Sequence, residues 1–168
     1  MWGWSASRIM QVTLNKFSRS KAARSAFFAV VASAPAFAQN VLSVIPPESA
    51  AIKSGQTADV KIRVKLKPGY HVNSNKPADE FLIPLKLSWA PGAVEAVAVE
   101  YPKPAMEKYA FSEKPLSVYS GEFEIVTKFK ASARGMTTAS GKLRYQACND
   151  TMCLPPKTIE IQLPLQVE

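Results

Sequence analysis

The amino-acid sequence predicts an all-β protein, folded as an antiparallel β-sandwich of immunoglobulin-like type with about seven to nine strands. Several segments alternate apolar and polar residues with a period of two, which is typical of half-buried strands. Clusters of turn-forming residues separate these segments, and no amphipathic helical pattern follows residue 40. Short strands joined by frequent turns favour two packed sheets over a helical or mixed fold.

Three segments carry a strong strand pattern, and four others carry a weaker one. In the first strong segment Val60, Ile62, Val64 and Leu66 alternate with mostly charged residues, which predicts that they face the core. The strong segments are 58–66, 123–129 and 159–167, and the weaker ones are 41–45, 83–89, 93–99 and 141–148.

Two connections between the predicted strands are longer than the rest. Segment 67–79 is polar and rich in turn residues, and its His71 is most simply a solvated side chain. Segment 102–121 carries Tyr109, Phe111 and Tyr119. A long loop of this kind is often functional, but its rings would equally serve to close one end of the sandwich, and both interpretations stay open.

Residues 1–38 have the pattern of a signal peptide. Five basic residues and no acidic one precede a short apolar run at 26–34. After this run, Ala36, Phe37 and Ala38 form a small-residue cleavage pattern. The apolar run is about half as long as a membrane span. We therefore predict cleavage after Ala38 and an exported domain at 39–168, in preference to an uncleaved anchor.

The net charge of +8 is largely a property of this leader. Residues 39–168 hold 16 Lys and Arg against 13 Asp and Glu, which leaves only +3. No basic cluster with interleaved aromatic residues stands out, so nucleic-acid binding is not expected. About 130 residues suffice for one hydrophobic core, and the absence of a Gly-rich phosphate loop or other cofactor motif predicts no cofactor.

Cys148 and Cys153 are the only cysteines in the chain, and four residues separate them. The intervening residues suit a tight turn, and directly opposed residues of an antiparallel pair have Cα atoms about 4.5–5.5 Å apart. This distance permits a disulfide, which an exported protein would keep in its oxidising compartment.

Three roles for the cysteine pair are compatible with the residues. A structural staple that closes so short a loop contributes about 2 kcal/mol, against about 5 kcal/mol for a loop of about 100 residues. This comparison favours a reducible redox pair without deciding the matter. A metal site would need His71 as third ligand, but no fourth ligand is evident, so we expect no metal.

The residues around the cysteines resemble a known family. The stretch Tyr-Gln-Ala-Cys at 145–148, a polar turn and Cys-Leu-Pro-Pro at 153–156 are similar to the active site of the N-terminal periplasmic domain of DsbD, the transmembrane thiol:disulfide interchange protein. Segment 66–77 resembles the loop that faces the cysteines in that family, and segment 109–114 resembles its aromatic cap loop. The resemblance extends from residue 41 onward.

The resemblance implies an immunoglobulin-like sandwich that carries electrons as a dithiol. It implies that Cys153 is the nucleophile that forms a mixed disulfide with partners, and that Cys148 resolves this intermediate. It also implies a group of residues that cap and line the site: Phe111 or else Tyr109 as the cap, with Tyr70 and His71 beside them.

We therefore expect a stand-alone periplasmic protein, monomeric, with thiol–disulfide exchange activity of the protein-disulfide reductase kind. The partners that the resemblance implies are thioredoxin-fold proteins of the disulfide isomerase or cytochrome c maturation type, together with a separate membrane reductant. The alternative is a non-catalytic immunoglobulin-like binding module, in which the disulfide is a staple and the aromatic loop is the contact surface.

Overall fold

Twelve β-strands and no helix make up the part of the chain that the structure, a computed structural model, describes: residues 40–168. The predicted signal peptide at 1–38 lies outside the described residues. The strands are β1 (Leu42–Ile45), β2 (Ala50–Ile52), β3 (Thr57–Leu66), β4 (His71–Asn73), β5 (Lys86–Trp89), β6 (Val94–Glu100), β7 (Ala105–Glu107), β8 (Leu116–Ser120), β9 (Glu122–Ala131), β10 (Gly135–Tyr145), β11 (Ala147–Cys148) and β12 (Lys157–Val167).

Two four-stranded sheets form the sandwich. One has the order β1-β3-β9-β6, and the other has the order β2-β12-β10-β5. All their pairings are antiparallel except that of β2 with β12, which is parallel. The described residues contain no helix that is long and apolar enough to cross a membrane. The predicted all-β, immunoglobulin-like sandwich is therefore confirmed.

The core follows from the alternating pattern of the long strands. Val60, Ile62, Val64 and Leu66 of β3 are all buried, with exposures between 0% and 3%. Alternate residues of β9, β10 and β12 join them in one apolar cluster, which includes Ile125, Phe129, Leu143, Ile161, Leu163 and Leu165. Each large aliphatic side chain buried in this way contributes about 1.5–3 kcal/mol. This burial is what holds the two sheets together.

A third, smaller sheet with the order β11-β4-β8-β7 carries the residues of the cysteine region. Its β4 follows β3 through a tight turn, in which Tyr70 N donates to Lys67 O at 3.2 Å and Gly69 has a φ of 79°. Pro at the second and Gly at the third position are the residues that a type II turn requires. The turn leads the chain from the sandwich directly into the third sheet.

The strand count of seven to nine was too low, because the short strands lack an alternating pattern. The segments 67–79 and 102–121, predicted as connections, contain β4 and the pair β7 and β8. All three residues of β4 and four of the five of β8 are buried, so no period of two is visible. The predicted strand 141–148 is divided between β10 and β11, which belong to different sheets.

Candidate redox site at the cysteine turn

Cys148 and Cys153 are joined by a disulfide with an S–S distance of 2.00 Å. The two residues also form an isolated antiparallel bridge, and their Cα atoms are 3.9 Å apart, closer than the sequence predicted. Cys148 ends β11, whereas Cys153 lies in the segment before β12. The disulfide thus closes the turn 149–152 at its base.

Asn149 organises this turn. Its Oδ1 accepts hydrogen bonds from Thr151 N at 3.0 Å, Thr151 Oγ1 at 3.0 Å and Met152 N at 2.9 Å. Its backbone N donates to Met152 O at 2.9 Å. An Asn side chain that bonds the backbone two residues ahead is a typical turn former. The loop between the cysteines is therefore held in one conformation by its own first residue.

The two cysteines differ sharply in exposure. Cys148 is 1% exposed, packed beside the core, whereas Cys153 belongs to the exposed residues. A thiolate that attacks a disulfide must reach one of its sulfur atoms along the S–S axis, so access selects which sulfur reacts. Of the two residues, Cys153 is the exposed one.

His71 lies directly opposite Cys148 in the third sheet. The two residues are Cα partners in the antiparallel pair of β4 and β11. The expectation of a solvated His71 was wrong, because β4 is an inner strand of this sheet and the residue is only 3% exposed. The same placement brings His71 to the cysteines, as the family resemblance implied.

Three aromatic rings are stacked above β4. The Tyr109 ring lies 3.9 Å from the His71 ring between centroids, at 20° between planes, and the Phe111 ring lies 5.6 Å from Tyr109 at 15° and 6.4 Å from His71 at 7°. Tyr109 is 8% exposed and Phe111 is 45% exposed. Tyr109 is thus the buried ring that contacts His71 directly, and Phe111 is the more exposed ring, which lies beside both.

Two carboxylates shape the electrostatics of this region. Tyr109 Oη donates a hydrogen bond to Glu107 Oε2. Burial, followed by this hydrogen bond and the negative charges of Glu107 and Asp150, raises the pKa of Tyr109 well above its ordinary value. Burial lowers the pKa of His71, and the charges of Glu107 and Asp150 oppose this shift without cancelling it. At neutral pH the imidazole is therefore uncharged.

A small cavity of about 150 Å³ opens between these groups, and its lining consists of Gly69, Tyr70, His71, Glu107, Tyr109, Ser120 and Asp150. Of the lining residues predicted from the sequence, Tyr70, His71 and Tyr109 come together here, and Phe111 stacks on the outside. Glu107, Ser120 and Asp150 were not predicted. Only Asp150 carried a sequence signal, since it stands between the two cysteines.

A larger cavity, of about 490 Å³, lies elsewhere and is lined mainly by residues of β5, β6 and the turn between them. It contains no cysteine, histidine or tyrosine. Within residues 40–168 no group of three or more His, Cys, Asp and Glu is arranged as a metal site. The chemistry of the side chains therefore points to the cysteine turn as the candidate site.

The family model for the N-terminal part of the thiol:disulfide interchange protein DsbD matches residues 42–165. The chain belongs to this family. The match includes both cysteines, the stacked rings and all but the last two residues of β12. No curated protein sequence is significantly similar to the chain.

One solved structure supports the fold, and a second is reported beside it. The N-terminal periplasmic domain of ScsB from Proteus mirabilis is 18% identical, with a TM-score of 0.55, over 76% of this chain and 47% of that chain. The chain thus spans about half the length of that structure. The N-terminal domain of DsbD from Neisseria meningitidis, in the reduced form, is 18% identical, with a TM-score of 0.45, over 66% of this chain and 79% of that chain.

Proposed function

We propose that this chain is an exported thiol:disulfide interchange protein, which carries reducing equivalents as a Cys148–Cys153 dithiol to or from thioredoxin-fold partners. Family membership supports the reaction class. The observation that carries the proposal is the difference in exposure between the cysteines, with Cys148 buried and Cys153 accessible. An exposed cysteine is what a mixed disulfide with a partner requires.

The exchange proceeds through a mixed disulfide. A thiolate of the reductant attacks Cys153 Sγ, the Cys148–Cys153 bond breaks, and Cys148 leaves with the electron pair and takes up a proton. A second thiol of the reductant then attacks its own sulfur in the mixed disulfide, which releases Cys153 as a thiolate. The reductant ends as a disulfide, and this chain holds two electrons as a dithiol.

Delivery of these electrons reverses the sequence of bonds. The Cys153 thiolate attacks the disulfide of an oxidised partner, and Cys148 then attacks Cys153 Sγ. The partner leaves as a dithiol and the internal disulfide forms again. Cys153 is the nucleophile and Cys148 the resolving residue, as the resemblance implied, and the activity is that of a protein-disulfide reductase.

The stacked rings serve as the cap in this proposal. Tyr109 stacks on His71, and the half-exposed Phe111 lies beside both rings. Displacement of this segment would widen access to the buried Cys148 side of the disulfide, since Cys153 is already exposed with the rings in place. Tyr70 and His71 line the cavity beneath the cap.

The compartment and the partners follow from the same family. We propose a periplasmic location, reached through the signal peptide at 1–38, and thioredoxin-fold partners of the disulfide isomerase or cytochrome c maturation type. A separate membrane reductant would supply the electrons. The N-terminal domain of ScsB, a structural neighbour, is described as periplasmic.

A non-catalytic binding module is the second candidate. Met106 and Phe111 favour it, because they are 62% and 45% exposed in the segment between β6 and β8. Exposed apolar residues of this kind are found in protein contact surfaces. In this case the disulfide would be a staple that is never reduced in the cell.

The reduction potential of residues 39–168 distinguishes the two candidates. Equilibration with defined glutathione or dithiothreitol ratios should give a value between about −270 and −180 mV, the range of thioredoxin-type carriers. A potential well below about −300 mV is typical of a structural disulfide and would exclude the relay.

A further inference from the structure

Cys148 and His71 face each other across two neighbouring strands. Residues that are directly opposite in an antiparallel pair have Cβ atoms about 4.5–5.5 Å apart and project from the same face of the sheet. Both residues are buried, with exposures of 1% for Cys148 and 3% for His71. The imidazole is therefore next to the sulfur that leaves and returns during exchange.

One ring nitrogen of His71 is free to accept a proton in the disulfide form. Nε2 is buried and has no hydrogen-bond partner among residues 40–168. The nearby phenol of Tyr109 donates its hydrogen to Glu107 rather than to the imidazole. A buried polar atom without a partner costs free energy, and such atoms in native proteins frequently have a catalytic role.

Charged and titratable groups reach His71 from several elements. They are Glu107 at the end of β7, Tyr109 in the cap segment, Asp150 in the cysteine turn and Tyr70 just before β4. Both charged groups among them are carboxylates, and each favours a proton on His71. The ring is neutral at rest because it is buried, and these carboxylates stabilise the imidazolium once it forms.

We infer that His71 transfers the proton of Cys148 during exchange, a role that rests on the proposed function. When Cys153 is joined to a partner, His71 takes the proton of the Cys148 thiol. The Cys148 thiolate attacks Cys153 Sγ, the internal disulfide forms, and the partner leaves as a thiolate with the electron pair. The imidazolium then releases its proton through the cavity. In the opposite direction His71 takes up a proton through the cavity and donates it to the leaving Cys148.

A buried thiol needs such a group. Removal from water disfavours the charged form, so a buried cysteine ionises less readily than a free one with a pKa of about 8.5. At 1% exposure Cys148 is shielded from the solvent that would otherwise accept its proton. Without a base beside it, resolution of the mixed disulfide would be slow at neutral pH.

Reaction of the reduced domain with dithiobis(nitrobenzoate) separates the two thiol steps. Cys153 attacks first and releases one thionitrobenzoate, and Cys148 resolves the adduct and releases the second. General base catalysis contributes about 100-fold or more. We expect His71→Gln and His71→Phe to slow the second release about 100-fold near pH 7 and to change the first release less than about threefold.

The pH profile gives a readout that a merely structural role would not alter. In the unsubstituted protein the second rate should level off above the pKa of the histidine, which lies below about 6.5. In both variants the second rate should keep rising with pH until the pH reaches the pKa of a thiol, about 8.5 or higher. Glutamine and phenylalanine differ in shape, but neither is a base. Phenylalanine also retains an aromatic ring that can stack on Tyr109.

Equal second-step rates and identical pH profiles in wild type and variants would overturn the inference. Slowing by His71→Gln alone would also overturn it, since stacking rather than proton transfer would then explain the effect. If neither variant folds, the wild-type pH profile still tests the inference. A second release rate that rises steadily up to the pKa of a thiol would contradict it. Failure of the proposed function is distinct, because it would appear as a disulfide that glutathione does not reduce, whatever the second rate.

Discussion

At the scale of single residues, exposure assigns different chemistry to two cysteines that the sequence presents alike. Cys148 stands in a strand of the third sheet and is buried, whereas Cys153 follows the turn and is exposed. The rings of the cap segment differ in the same way. Tyr109 contacts His71, while Phe111 is half exposed outside it. Local sequence contains no information on either difference, because both arise from how β11, β4 and the cap segment pack.

Trapping with single cysteine variants tests the assignment of the nucleophile. In Cys148→Ser the accessible Cys153 remains without a resolving thiol, so it should form a lasting mixed disulfide with an oxidised thioredoxin-fold protein. In the matched control Cys153→Ser only the buried Cys148 remains. Mass spectrometry should find at least about tenfold more adduct with the first variant. Equal adducts with both variants would contradict the assignment.

At the scale of elements, the turn 149–152 determines how readily the disulfide forms. The side chain of Asn149 accepts three hydrogen bonds and its backbone makes a fourth, and none of these four bonds involves the disulfide itself. A turn that is ordered before the bond forms raises the effective concentration of one thiol at the other. The reduction potential is therefore a property of the turn as much as of the sulfur atoms.

Asn149→Ala should make the potential less negative. Loss of the three side-chain bonds loosens the turn and disfavours ring closure, and each tenfold loss in the closure equilibrium corresponds to about 30 mV. Thiol–disulfide equilibration of the variant measures the shift. Thr151→Val is the control, since it removes the hydroxyl bond alone and should shift the potential less. An unchanged potential in Asn149→Ala would show that the turn is organised by other contacts.

Trp89 of β5 connects the two sheets of the sandwich. Its Nε1 donates to Thr127 Oγ1 in β9 at 3.1 Å, and its ring meets Phe129 edge-on at 4.9 Å. The other side of the ring lies against Gly141 of β10, where an added Cβ would come within 2.8 Å of Trp89 ring carbons. The indole is therefore held between both sheets.

Gly141→Ala should destabilise the fold by about 1–3 kcal/mol, because the added Cβ would overlap the Trp89 ring and displace it from its contacts with Thr127 and Phe129. Urea unfolding monitored by tryptophan fluorescence measures the loss. Gly92→Ala is the matched control, since a Cβ at Gly92 meets nothing within 4 Å, and its effect should stay within about 0.5 kcal/mol. A neutral Gly141→Ala would mean that the ring moves freely.

At the scale of the whole molecule, burial of tyrosines and of the single histidine gives the fold a preferred pH range. Burial raises the pKa of four tyrosines, Tyr101, Tyr109, Tyr119 and Tyr145, and lowers the pKa of His71. Raised tyrosine values mean that the folded state binds more protons than the unfolded state above about pH 10. The lowered histidine value means that the unfolded state binds more protons below about pH 6.5.

The free energy of unfolding should therefore decrease on both sides of this range. It should fall as pH rises above about 10, where unfolded tyrosines ionise, and it should fall as pH drops below about 6.5, where unfolded histidine gains a proton. Urea midpoints measured across pH test both limbs. His71→Gln should flatten the step near pH 6.5 while leaving the alkaline limb in place. A step that persists in this variant would contradict the assignment to His71.

The sequence by itself determined the β-sandwich and the pair of cysteines. Long strands such as β3, β9 and β12 bury one face against the opposite sheet, and a period of two in the residues records that burial directly. The cysteine motif and its neighbours were sufficient to indicate the family, since these residues lie in one continuous stretch. Both results depend on patterns within short segments. Such patterns can be read from the sequence without information on contacts between distant segments.

Only the tertiary structure decided the composition of the site. The strands β4, β8 and β11 are short and buried on both faces, so nothing periodic marks them in the sequence. Their pairing is what places His71 opposite Cys148 and brings Glu107 and Asp150 within electrostatic reach of the ring. Burial, and with it the protonation state of His71 and the accessibility of each sulfur, results from contacts between segments that are far apart in the chain.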